Sequence, residues 1–177
     1  TGGSGTTLTE NEIFDVGSSG AANARGIELQ PGCNRDQTAP VITSVAEGAT
    51  VTVQGSLTSV PNETFKIEFF HNATPDTANF GRGEQFAGSV DVTANAAGLA
   101  SFGVSLPAFV RNVSATATRV STGDSSRFSS FFVPPAPVLL SVFKSGGGEG
   151  TVTGPGIACG ATCTASLPPG STVTLTA

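Results

Sequence analysis

The sequence is poor in charge and has no methionine, tryptophan or tyrosine. Only 12% of its 177 residues are charged, against about 25% in an ordinary soluble domain. Its 8 basic and 13 acidic residues give a net charge of −5, so it lacks the basic field that attracts nucleic-acid phosphates. One histidine and three cysteines are too few for the usual four-ligand zinc site. Its apolar runs are shorter than the roughly 20 residues of a membrane-spanning helix, so we expect neither nucleic-acid binding nor membrane insertion.

The sequence is instead rich in glycine, with 23 residues, and phenylalanine supplies every aromatic side chain. Between residues 39 and 133, apolar and polar residues alternate with the period of two that is typical of half-buried strands. The predicted strands are 41–46, 50–57, 64–71, 86–94, 99–106, 113–120 and 128–133. Because each has one apolar face to bury, we predict an all-β fold in which seven strands form a two-sheet antiparallel sandwich.

Two further segments flank the predicted sandwich. Residues 1–38 contain two short alternating pieces that cannot bury a face alone, which indicates either the terminal rungs of a solenoid or a flexible Gly/Ser leader. Residues 134–137 are proline-rich and predict a stiff linker. Residues 138–177 contain few large apolar side chains, so we interpret them as an incomplete β-rich module.

The three cysteines give information about the compartment. Three residues separate Cys159 from Cys163, a spacing that suits a tight disulfide hairpin and favours an oxidising exterior. The alternative is a pair of free thiols in a reducing cytoplasm. Cys33 is left over and is either free or bridged to another chain or to a segment outside this one. Since the sequence starts at Thr1 without a signal-peptide pattern, we expect a mature processed protein or an excised fragment.

Several local motifs resemble parts of very large secreted bacterial proteins. The pieces Asn11-Glu-Ile13 and Gly26-Ile27-Glu-Leu29 resemble the last coil of a right-handed parallel β-helix. The central segment is similar to the Ig-like module that follows such repeats, through Gly55-Ser-Leu57, Phe65-Lys-Ile-Glu-Phe-Phe70, Gly81-Arg-Gly-Glu84 and Ala115-Thr-Ala-Thr118. The tail resembles the first half of an internalin-type B-repeat, through Ser145-Gly-Gly-Gly-Glu-Gly-Thr-Val152 and Cys159-Gly-Ala-Thr-Cys163.

The resemblance implies a specific domain order. It implies a terminal β-helix-like coil at 1–38, a seven-stranded Ig-like sandwich at 39–133, the linker at 134–137 and a partial B-repeat-like module at 138–177. It also implies a secreted or cell-surface protein with a structural or adhesive role, and it supplies no catalytic residues.

Few side chains are candidates for chemistry. Asp76 and Glu84 are weak candidates for a structural calcium ion, because their loop offers other oxygen ligands but lacks an Asp-x-Asp-x-Asp spacing. His71 continues an apolar face and has no marked acid or nucleophile beside it. Glu10, Glu12 and Asp15 lie close together along the chain, but on a terminal coil without a groove. We therefore expect no catalytic residue, and no cofactor other than the calcium alternative.

These observations support three hypotheses about function. The preferred one is a non-enzymatic extracellular module that acts as a spacer, scaffold or adhesive part of a large bacterial protein. The second is a filament subunit whose incomplete N- and C-terminal segments join neighbouring copies by β-strand addition. The third is a carbohydrate-binding accessory domain, which the absence of tryptophan and tyrosine disfavours. The expected partners are other copies, neighbouring domains of a parent protein and cell-surface glycans.

Overall fold

The computed structural model of the chain is all-β, as the sequence predicts. It describes residues 3–13, 26–46, 48–73, 81–108, 112–132, 137–145, 150–160, 163–168 and 170–177. The chain divides into two compact units, Thr1–Val133 and Pro134–Ala177. Across these described ranges, no helix is long and apolar enough to cross a membrane.

Six strands of the first unit form two antiparallel sheets of three strands each. The strands are β1 (Val41–Ala46), β2 (Thr50–Thr58), β3 (Thr64–His71), β4 (Gln85–Thr93), β5 (Leu99–Pro107) and β6 (Val113–Arg119). One sheet has the order β1-β2-β5 and the other β4-β3-β6. Each strand matches one of the first six predicted strands to within one residue at either end, which confirms the antiparallel all-β prediction.

The main core lies between these two sheets and is built from alternate residues of the strands. Its fully buried side chains include Val53 and Leu57 of β2, Ile67 and Phe69 of β3, and Val113 of β6. The ring of Phe69 meets that of Phe102 on β5 edge to face, with 5.5 Å between the centroids. Gly55 leaves room for this phenylalanine, because a Cβ at residue 55 would overlap the Phe102 ring.

The seventh predicted strand, at 128–133, is not confirmed: its described residues form no regular ladder. The N–H groups of Ser126 and Ser129 donate to the carbonyls of Ala117 and Ala115 of β6, at 2.8 and 2.7 Å. The hydroxyl groups of the same serines accept the N–H groups of the same alanines, both at 2.9 Å. From Ser126 to Ser129 the segment advances three residues while β6 advances two, from Ala117 back to Ala115, as in a β-bulge. The N–H groups of β6 are accepted by serine hydroxyls and not by backbone carbonyls.

The described part of segment 1–38 packs against the sandwich within the first unit, and the predicted β-helix coil is not confirmed. Residues 3–13, which we call the strap, run along the face of the β4-β3-β6 sheet that points away from the main core. The N–H and carbonyl of Ile13 pair with Gly83. A second apolar cluster closes around this segment and consists of Ile27, Phe70 and Phe128 with Leu8, Ile13, Leu29 and Phe86.

The second unit contains two pairs of short antiparallel strands. They are β7 (Val138–Ser141), β8 (Val152–Gly154), β9 (Ile157–Cys159) and β10 (Thr164–Leu167), paired as β7 with β10 and β8 with β9. A small core forms around Ile157, Cys159 and Ala165. Of the predicted linker 134–137, only Pro137 is among the described residues.

Candidate functional site

A buried carboxylate lies where the strap meets the turn after β6. The carboxylate of Asp124 is completely buried. Its Oδ1 accepts the N–H of Gly5 at 2.7 Å, and its Oδ2 accepts the hydroxyl of Thr122 at 2.5 Å. The guanidinium of Arg35 lies 3.1 Å from Oδ2. One carboxylate therefore holds together the strap, the turn after β6 and the segment that precedes β1.

The environment of Asp124 favours the ionised carboxylate. Burial by itself raises the pKa of Asp124, because it removes the charge from water. The hydrogen bonds from Thr122 and Gly5, together with the positive charges of Arg35 and Arg119, outweigh burial and hold the pKa below its ordinary value of 3.8. Asp124, which we call the first anchor of the strap, is therefore a buried negative charge that hydrogen bonds and two nearby cations compensate.

Asn34, which precedes Arg35 in the sequence, forms a second anchor of the strap. Its side chain is 2% exposed, and its amide nitrogen donates to the carbonyls of Thr6, at 2.8 Å, and Ser125, at 2.9 Å. Its amide oxygen accepts the N–H of Thr6 at 3.1 Å. The hydroxyl of Ser125 accepts the N–H of Leu8 at 2.9 Å. Side chains thus hydrogen-bond the backbone of the strap at Thr6 and Leu8. In a regular sheet, the backbone of a neighbouring strand would make these bonds.

The turn that presents Asn34 is strained. Three consecutive residues of Cys33–Asp36, namely Asn34, Arg35 and Asp36, have positive φ angles of 46°, 48° and 52°. Residues other than glycine adopt this region at a cost of about 1–2 kcal/mol each. The turn is held by the contacts of Asn34 and Arg35 and by a hydrogen bond from the Gly32 N–H to the Asp36 carboxylate, at 2.8 Å. These contacts offset the strain and point two side chains at the strap and at Asp124.

Glu68 lies beneath the middle of the strap. Its side chain is on the face of β3 that points away from the main core, yet it is 1% exposed, and its Oε2 accepts the N–H of Glu10 at 3.2 Å. Burial raises the pKa of Glu68 and the Glu10 carboxylate adds to the rise, while the Glu10 N–H and the Lys66 ammonium lower it by less. Thr116 of β6 lies opposite Glu68. Its hydroxyl is buried and neither donates nor accepts a hydrogen bond within the described part of the chain.

Glu84, one of the two calcium candidates, makes local loop contacts. Its carboxylate accepts the N–H of Ala73 at 2.7 Å, and its own N–H donates to the side chain of Asn72 at 3.1 Å. The other candidate, Asp76, lies outside the described residues. Within the described part of the chain, His, Cys, Asp and Glu side chains form no group of three or more that could hold a metal ion. Calcium binding at this loop stays a prediction.

The cysteines occupy two different environments. Cys159 and Cys163 form a disulfide between β9 and the residue that precedes β10, which confirms the predicted hairpin bond. Cys33 is half-buried in the strained turn and forms no disulfide.

The remaining candidates are dispersed. Glu10 and Glu12 are exposed on the strap. His71 ends β3, where it faces Val113 and Gln85 of the neighbouring strands. Asp15 lies outside the described residues, and the absence of a catalytic residue stays a prediction.

The first unit also contains an open cleft at one edge of the sandwich. The cleft has a volume of about 790 Å³ and lies between residues 36–42, which lead into β1, and residues 127–131, which follow β6; Leu29 lines it as well. We call this feature the edge cleft.

Sequence reasoning missed the role of three anchor residues. The alternation of residues 64–71 places Glu68 on the face of β3 that points away from the core, but it does not reveal that the strap buries this side chain. The pattern around Asn34 carries no signal for its role, because its partners are 28 and 91 residues away in sequence. The sequence around Asp124 is that of an ordinary turn, because its partner Gly5 is 119 residues away.

Comparisons with known proteins give no family. No protein-family model matches the sequence, and no curated protein matches it.

Proposed function

We propose that this chain is a non-enzymatic structural and adhesive module of a large secreted or cell-surface bacterial protein. The observation that supports this function is how the buried polar side chains are used. Asp124, Asn34 and Glu68 each bind the backbone of the strap through at least one hydrogen bond. Such an arrangement strengthens a mechanical joint between distant segments of the chain.

The disulfide supports an extracellular setting. A bond between Cys159 and Cys163 persists in an oxidising compartment and is rare in the cytosol. It closes a hairpin in the second unit, whose buried core is small, and small secreted modules commonly depend on such bonds.

We also propose that the sandwich is a seven-stranded Ig-like domain in which the segment after β6 serves as the seventh strand. Ser126 and Ser129 attach this segment to β6, so it extends the β4-β3-β6 sheet to four members. A division of seven strands between sheets of four and three is the arrangement of an Ig-like sandwich. The origin of 1–38 as a β-helix end and of 138–177 as a partial B-repeat rests on the sequence resemblance.

A proteolysis experiment tests the structural function. The full chain is incubated with a broad-specificity protease, and cleavage within the strap is followed by mass spectrometry. We expect slow cleavage in the unchanged protein and cleavage at least tenfold faster in Asp124→Asn, since a hydrogen bond to a charged group contributes about 1.5–3 kcal/mol. Asp91→Asn is the matched control, because Asp91 is exposed and its carboxylate pairs with Lys66 at the surface.

Two results would contradict the proposed function. One is equal cleavage of the strap in the unchanged protein and both variants. The other is hydrolase or lyase activity of the purified chain on polysaccharides. Binding to a glycan array without such activity would instead support the carbohydrate-binding hypothesis.

A second candidate function is self-assembly by β-strand addition. The observation that favours it is that β1 and β7 each have one hydrogen-bonded neighbour among the described strands, so each has a second edge at which another strand can pair.

A further inference from the structure

We propose that β7 of one copy pairs with the free edge of β1 in another copy, beside the edge cleft, so that chains join head to tail. This inference rests on the self-assembly function and specifies its junction. We call β7 the donor strand and β1 the acceptor strand. The acceptor lies on the sandwich and not in segment 1–38, because the strap is already bound to the β4-β3-β6 sheet.

The donor edge is apolar and uncharged. β7 pairs with β10 along one side, and Val138 and Leu139 are 56% and 66% exposed. Phe143, two residues after the strand, is 90% exposed. From Pro137 to Phe143 the sequence contains no charged residue. Edge strands of monomeric proteins usually carry charges that prevent pairing with other chains, and this strand lacks them.

The acceptor edge, β1, is also apolar and uncharged. β1 pairs with β2 along one side, contains no charged residue and presents Val41, which is 60% exposed. The edge cleft adjoins this strand and leaves space beside it. At the opposite edge of the same sheet, β5 begins with Leu99, which is 44% exposed, less than Val41, and exposes only small residues along its middle, namely Ser101, Gly103 and Ser105. The apolar acceptor is therefore at β1.

The exposed hydrophobic side chains are concentrated on these two edges. Among the described residues, five large hydrophobic side chains are more than half exposed. Four of them are on or next to the proposed junction: Val41, Val138, Leu139 and Phe143. The fifth, Val120, follows β6. We therefore infer that a second copy of the chain pairs with these edges, because each copy carries both an apolar donor edge and an apolar acceptor edge.

The geometry of the junction determines the type of assembly. The donor and the acceptor are different surfaces, so the contact is heterologous and generates an open chain or a ring. The bulge in β1 between Ile42 and Ser44 limits regular pairing to a few residues, which matches the four residues of β7. Because each copy has a net charge of −5, charge repulsion opposes assembly and salt should strengthen it.

Light scattering on the full chain, with Cys33 alkylated to prevent interchain disulfides, tests the junction. We expect the average mass of the unchanged protein to rise with concentration beyond that of a dimer. Val41→Lys removes the acceptor and Leu139→Lys removes the donor, and each should raise the concentration for half-assembly at least tenfold. Val120→Lys is the matched control, since it places the same charge on an equally exposed valine and should assemble normally.

Mixing the two variants gives the decisive measurement. The Val41→Lys chain keeps its donor and the Leu139→Lys chain keeps its acceptor, so an equimolar mixture should form 1:1 dimers that neither forms alone. Circular dichroism checks that both are folded, and Val41→Thr and Leu139→Thr, which keep strand propensity, replace either variant that is not.

The outcomes separate the junction from the assembly function. A monomeric unchanged protein at every concentration and salt overturns both. Assembly that Val41→Lys and Leu139→Lys leave intact overturns the junction alone. Loss of assembly with Leu139→Lys but not with Val41→Lys indicates symmetric pairing of β7 with β7 and also overturns the junction.

Discussion

Two buried carboxylates under the same strap have pKa values displaced in opposite directions. Asp124 is surrounded by N–H, hydroxyl and guanidinium donors, which outweigh burial and lower its pKa. Glu68 receives one N–H and lies near the Glu10 carboxylate, so burial prevails and its pKa is raised. The difference comes from the number of donors, since both side chains are almost completely removed from solvent.

The raised pKa of Glu68 predicts how stability changes with pH. A group whose pKa is higher in the folded than in the unfolded state stabilises the fold fully below the unfolded value, here 4.5, and loses that contribution as the pH rises through the folded value. We therefore expect Glu68→Gln to be more stable than the unchanged protein at pH 7 and to lose this advantage near pH 4. Urea denaturation between pH 4 and 8 measures the difference.

The exposed strap residue Glu12 supplies the control for this measurement. Glu12→Gln removes the same charge without changing a buried site, so its stability should follow that of the unchanged protein across the range. The interpretation of Glu68 is wrong if Glu68→Gln is less stable at pH 7, or if its advantage persists unchanged at pH 4. As the pH falls below 3.8, the ordinary value for Asp124, and through its lower pKa in the fold, all three proteins should lose the stability that the ionised carboxylate contributes.

At the scale of elements, the segment after β6 depends on serine side chains for its attachment. The N–H of Ala115 is buried and donates to the hydroxyl of Ser129. The same hydroxyl donates to the carbonyl of Ser130 at 2.9 Å, so it satisfies two backbone groups at once. This double use explains why a hydroxyl can replace a strand carbonyl at this position.

We expect Ser129→Ala to destabilise the protein by about 1–3 kcal/mol, because it leaves a buried N–H without a partner. The midpoint of urea denaturation should fall accordingly, with an unchanged slope. Ser130→Ala is the control, since its side chain is exposed and its backbone carbonyl remains, and a change within about 0.5 kcal/mol is expected. Equal losses in the two variants would show that the hydroxyl of Ser129 is not the attachment.

At the scale of the whole molecule, the chain consists of two units with separate cores. The first unit has a large core between its sheets, whereas the second has a small one supported by the disulfide. Loss of the disulfide should therefore act on the second unit first.

Replacing Cys159 and Cys163 together by alanine should destabilise the second unit by about 2 kcal/mol, because the disulfide joins residues only four positions apart. The chain contains neither tryptophan nor tyrosine, so fluorescence is a poor probe, and amide NMR spectra give the residue-level measurement. We expect loss of dispersed signals from the second unit, while those of β1 to β6 keep their positions. Loss of dispersion in both units would contradict separate stability, and Cys33→Ala is the control for removing a thiol.

The sequence alone was sufficient for features that depend on neighbours in the chain. Alternation with a period of two identified β1 to β6, because the pleat places alternate residues on one face. The spacing of Cys159 and Cys163 was sufficient for the disulfide for the same reason: the partners are four residues apart.

Only the tertiary structure could decide the features that join distant segments. The strap lies on its own sandwich because Asp124 and Asn34 bind residues from 28 to 119 positions away, and no local pattern records such pairs. The segment after β6 departs from a regular strand because hydroxyls of Ser126 and Ser129, three residues apart, take the place of carbonyls. The few charges of the sequence matter here too. The two buried carboxylates, Asp124 and Glu68, hold the strap, while β1 and β7 contain no charged residue that would prevent pairing.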